Sequence, residues 1–81
     1  ARDVANLMVD LHLEMGDIDG AREVLRTRPA DAIAQANVGT ALLGRRRVEE
    51  AKALLEGACP ELEGTAEAPW CQDVLVQARS R

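Results

Sequence analysis

Apolar positions recur along the chain in helical steps. Val4, Leu7, Met8, Leu11 and Met15 are separated by 3, 1, 3 and 4 residues. That spacing puts side chains on one helical face and predicts a helix over Asp3 to Met15. Gly16 stops it, and Asp17 or Asp19 supplies a cap for the next helix, because a short side-chain oxygen accepts its orphan N–H groups. That second helix spans Ile18 to Arg26, with Ile18, Ala21, Val24 and Leu25 inward, and Pro29 ends it. A third spans Ala30 to Leu43, with Ile33, Ala36 or Asn37, Val38, Ala41 and Leu42 as its stripe. Gly44 stops it and Arg45, Arg46 and Arg47 make the turn. A fourth spans Val48 to Ala58 and buries Val48, Ala51, Leu54, Leu55 and Ala58. Residues 60–68 read as a loop. A last helix over 69–80 starts at Pro69 and carries Trp70, Val74, Leu75 and Ala78 on one face.

Composition narrows the fold class to all-α. Hydrophobic residues are 47% of the 81, yet aromatics are 1%, and fourteen residues are Ala. Sheets favour β-branched and aromatic residues, of which this chain has few. The apolar fraction is too high, and the net charge of -4 too low, for a disordered chain. A domain this short buries only about 60–65% of its unfolded surface. Its core must be built from Leu, Val, Ile, Met and Ala, so its stability is expected at about 5 kcal/mol or less.

The two helix pairs repeat each other. At an offset of 30 residues Ile18 meets Val48, Ala21 meets Ala51, Val24 meets Leu54, Leu25 meets Leu55 and Met8 meets Val38. In the second pair Gly39, Val48, Ala51, Leu55 and Ala58 stand at the spacing of the tetratricopeptide repeat (TPR) family. In the first pair Gly16, Ile18, Ala21 and Leu25 do so. The chain resembles that family over Asp3 to Ala58. Val9 stands where the small mid-helix residue belongs, Arg28 replaces the last Ala, Arg46 replaces a turn Gly, and the repeat is 30 rather than 34 residues. The resemblance implies one domain of antiparallel helix hairpins, stacked as a short superhelix of about five helices. Repeat 1 would cover about 3–29, repeat 2 about 30–59, and the last helix would cap the solenoid's open end.

Nothing in the chain points to catalysis, a metal or a cofactor. Ser occurs once, at Ser80; His12 lies between Leu11 and Leu13 and reads as a packed or half-exposed side chain; Asp17 and Asp19 read as caps. The arginine turn reads as a solvated loop with local ion pairs. An acidic chain of pI near 4.9 argues against nucleic acid. No apolar run is long enough to span a membrane. Cys59 and Cys71 match no zinc spacing and read as free, half-buried thiols of a cytoplasmic protein, a disulfide being the alternative.

The resemblance also implies a groove lined by the first helix of each pair. By position its residues would be Asp3, Asn6, Asp10, Leu13 and Glu14, with Ala36, Thr40 and Leu43. The basic side chains by which some members hold a peptide C-terminus are missing here. An acidic and apolar groove suits a basic, amphipathic partner helix or segment. The sequence therefore predicts a protein-binding scaffold module, a piece of a larger bacterial protein by its Arg-rich, Lys-poor composition. Two other readings follow. The chain looks similar to the small TPR-type chaperones of type III secretion needle subunits, and a domain with an open end also suits self-association as a homodimer.

Overall fold

A computed structural model of the chain describes residues 2–28 and 30–80, with side chains from residue 4 onward. Five α-helices follow one another: α1 (Arg2–Glu14), α2 (Ile18–Thr27), α3 (Ala32–Gly44), α4 (Val48–Ala58) and α5 (Ala68–Arg79). The fold is all-α. Pro29 and the side chain of Asp3 lie outside the described residues. Between α4 and α5 the expected loop contains a 3₁₀ turn, Cys59–Leu62, with Pro60 in its first turn. Proline's fixed φ suits that start.

The 30-residue offset is present in the backbone. Displacing the bounds of α1 by 30 reproduces those of α3, and α2 displaced the same way begins where α4 begins. The turns match as well. After α1, Gly16 and Asp17 donate their N–H groups to Leu13 and His12 carbonyls at 3.0 and 2.8 Å. After α3, Arg46 and Arg47 donate to Leu43 and Leu42, both at 3.0 Å. Each pair of bonds closes a Schellman motif, which needs a left-handed residue just past the helix end. Gly16 has φ 77° and Arg46 φ 64°. Glycine takes this conformation freely, whereas an L side chain is strained there by roughly 1–2 kcal/mol. Arg46→Gly should therefore raise stability by about 0.5–1 kcal/mol in urea unfolding. Arg45→Gly, at φ -94°, should not; equal effects of the two would refute the assignment of strain to Arg46.

Local chemistry fixes the start of α2. Asp17 is its N-cap: Oδ1 accepts the Gly20 N–H at 2.9 Å, and Oδ2 accepts from His12 Nδ1 at 3.0 Å. The Gly20 N–H first, and then His12, hold the Asp17 carboxyl below its ordinary range. The stabilisation this brings is present above the ordinary carboxylate pKa and is lost as pH falls through the lowered one. A Cβ at Gly20 would run into the Asp17 carboxylate and the His12 ring, so a larger residue there would displace this pair.

The core is made of small and medium side chains. Val9, Val38, Leu42 and Leu55 are its largest fully buried aliphatic members, with Cys59 and Cys71 beside them. Among the described residues no polar or charged side chain is buried. Gly39 decides how closely α3 and α4 cross. A Cβ at this position would lie 2.9 Å from Leu55 Cγ, so Leu55 seats fully against bare backbone. The matching position in α1 is Val9, and the matching Leu25 of α2 is only half-buried.

The cysteines correct the sequence expectation. Cys59 and Cys71 are not free thiols; they form a disulfide across 12 residues of chain, and both are fully buried. The bond ties the end of α4 to the first turn of α5. Trp70 is half-buried and packs against the core beside it.

Candidate functional site

The groove expected from the repeat pattern does not assemble as drawn. Ala36 and Leu43 are buried core residues. Leu13 is half-buried against the core. The Thr40 hydroxyl is turned back on its own helix, donating to the Ala36 carbonyl at 2.9 Å. Asn6 is committed inside the molecule: its Nδ2 donates to Asp31 Oδ2 at 2.8 Å, and its Oδ1 accepts the Asp31 N–H at 3.0 Å. That two-point clamp joins α1 to the N-cap of α3. What remains is a pocket of about 200 Å³ between α1 and α3, where Asn6 and Asp10 meet Ile33 and Asn37. Glu14 is exposed on the same helix.

Most of the exposed apolar surface lies elsewhere, on the stripe with which the sequence opens, the other exposed large apolar residues being Ile33 and Val76. Val4 is 52% exposed, Leu7 60%, Leu11 50% and Met15 71%. Met8, between them, is half-buried. At about 100° per residue these five occupy an arc of roughly 100° on one side of α1. The core face is the other side, built from Ala5 and Val9, both fully buried. So α1 is apolar on two opposite faces, and among the described residues only one of them has a partner. The acidic edge of the helix, Asp10 and Glu14, borders the outward stripe. Neither forms an ion pair with a described residue.

A larger cleft, of about 790 Å³, opens between α2 and α4 over Leu25, Ala53 and Leu54. Its charges are already matched. Arg22 pairs with Glu50 at 3.2 Å and Arg26 with Glu23 at 2.6 Å. At its mouth Arg47 bridges Asp19 at 2.9 Å and Glu50 at 2.7 Å. An ionic ligand would have to break these pairs, which leaves the cleft as a solvated seam rather than a prepared site. Arg45 reaches across to the Gly16 carbonyl at 3.4 Å, so the arginine turn serves contacts between the two turns. Among the described residues no group of His, Cys, Asp and Glu could hold a metal ion. Nor, among these residues, is any helix long and apolar enough to cross a membrane.

The fold and this surface define an all-α helix-hairpin domain with one unpartnered apolar helix face. No protein-family model, curated protein or solved structure matches the chain.

The sequence held the signal for this face without resolving it. Large apolar side chains on one side of α1 and Ala5 and Val9 on the other mark a helix packed on two sides. Periodicity could not say which side met the domain's own core.

Proposed function

We propose that the chain is a protein-interaction module of the helix-hairpin repeat type. It holds a partner's helix or peptide by rigid presentation of a surface, with no chemistry. The observation that carries this is the outward stripe of α1. Isolated exposed apolar residues are ordinary, but four large ones in helical register on one helix form a contiguous patch, and such patches mark interaction sites. The repeated hairpins and the TPR-like spacing support the same reading. The exposure of the stripe, not that spacing, moves the proposed binding surface from the expected groove to the neighbouring face of α1. A chaperone that shields a partner's helix would use this face too. The disulfide fits an oxidising compartment better than the cytoplasm expected from free thiols.

Leu11→Glu tests the reading. Leu11 is half-exposed and points away from the core, so the change should cost no more than the ~0.5 kcal/mol of an ordinary surface substitution. Immobilised domain should retain a protein partner from an extract of the source cells, and Leu11→Glu should abolish retention. Retention that survives the substitution, or none by the unchanged domain, removes the reading.

A further inference from the structure

The face itself specifies the partner beyond its being a protein. We infer that the outward face of α1 seats an amphipathic helix of another protein, about three turns long, with a cationic edge lying against Asp10 and Glu14. The inference rests on the interaction-module reading and names the occupant of that site.

Three observations lead there. First, the shape is that of a helix seat. Val4 to Met15 covers roughly 16 Å of helix axis, and the stripe follows the i, i+3, i+7 spacing of helix-in-groove recognition. The chain also shows how the equivalent face is covered. Displaced by 30 residues, the stripe falls on Ala34, Asn37, Val38 and Ala41 of α3, and at its end on Arg45, which is exposed. There Ala34 and Val38 are buried and Asn37 and Ala41 half-buried. That helix packs against both helices of the preceding hairpin. The α1 positions are the same kind of surface with larger side chains and no cover.

Second, the charge is one-sided. Asp10 and Glu14 lie one turn apart along one border of the stripe, both exposed, and the chain carries a net charge of -4. A partner helix with Lys or Arg along the facing edge gains attraction at that border, and an acidic edge meets like charge.

Third, the chain does not offer this occupant to itself. The stripes of α2 and α4 are spent on the core, with Ala21, Val24, Ala51, Leu55 and Ala58 buried. The exposed residues of α5 include Gln72, Asp73, Gln77 and Arg79, with Val76 as the exposed large apolar side chain. Two α1 helices packed antiparallel would set acidic border against acidic border. An antiparallel second copy is therefore a poor match, and a cationic helix is a good one.

The test uses two synthetic 18-residue helical peptides with the same Leu and Ala stripe, one with a Lys and Arg edge and one with a Glu edge. Titration calorimetry measures both against the domain, Leu11→Glu, and the double variant Asp10→Lys with Glu14→Lys. Circular dichroism checks that each variant is folded. The cationic peptide should bind at least tenfold tighter than the acidic one. Leu11→Glu should abolish binding, and the double variant should invert the preference. Binding that is lost in Leu11→Glu but shows equal or opposite preference overturns the cationic occupant and leaves the interaction-module reading standing. So does failure of both peptides where partner retention remains sensitive to Leu11→Glu. A dimer at tens of micromolar in sedimentation, dissociated by Leu11→Glu, overturns the inference in favour of a second copy. Failure of both peptides together with retention insensitive to Leu11→Glu removes both.

Discussion

Replacing Cys59 and Cys71 together by Ala should cost the domain about 3 kcal/mol and lower its unfolding midpoint by about 12–24 °C. The bond closes a loop of 12 residues in sequence separation. In the chain-entropy account, removing such a constraint lets the unfolded ensemble expand by about that free energy. The effect is large because the domain is small. Fourteen Ala and a single aromatic leave little apolar area to bury, so about 3 kcal/mol is most of the stability expected for a core of this size. The double replacement avoids leaving an unpaired thiol in the apolar surroundings of α4 and α5. Thermal unfolding of the native protein in a strong reductant should approach the midpoint of the double variant. Two titratable thiols in the untreated folded protein, or a midpoint unmoved by the replacement, would contradict the structural role of the bond.

The second large effect lies at the crossing of α3 and α4. Leu55→Ala should destabilise by about 2–5 kcal/mol, because Leu55 is fully buried and its cavity is walled by helix backbone that relaxes little. Gly39→Ala should cost about 1–3 kcal/mol in the native background, since its Cβ would press on Leu55 at 2.9 Å. In the Leu55→Ala background the same substitution should become neutral or stabilising by up to ~1 kcal/mol, because the clash is gone and Ala is the better helix former. A double-mutant cycle in urea reads this change of sign as coupling between touching residues. Additive effects would mean that the glycine is there for some reason other than admitting Leu55.

Much of the architecture is legible in the residues. The fourth helix is read at its observed bounds, Val48–Ala58, because its apolar spacing and the Pro60 that follows both mark them. The third starts two residues later than its pattern suggests. Arg28, at φ -137° and ψ 144°, and Asp31, at ψ 158°, hold extended backbone, and Asp31 is drawn to Asn6 across the hairpins. That partner is 25 residues away, beyond the reach of local spacing. The site is legible only in part. Helical period groups Val4, Leu7, Leu11 and Met15 correctly but cannot tell an inward face from an outward one, and on α1 both faces are apolar. Ala36 and Leu43 read as groove residues by family position. Both lie on the face of α3 that carries Gly39, and that face is buried in the core. The disulfide had one signal, an even number of cysteines bracketing a Pro- and Gly-containing connection. Whether the two thiols meet depends on how α5 folds back on α4, which neither cysteine encodes locally.

The disulfide also makes the two ends of the molecule unequal in how they open. At one end the bond, the 3₁₀ turn and the Gly39 crossing join α3, α4 and α5 into one packed unit. At the other, α1 and α2 are joined to the rest by the small side chains of their packing with α3, the Asn6–Asp31 clamp and surface ion pairs. Sub-global opening takes the least tethered unit first, so the first hairpin should swing free while the second stays closed. The outward stripe lies on that hairpin. A molecule bound there would act as the missing clasp, delivering its binding energy to the part of the chain that opens most readily and leaving the stapled half unchanged.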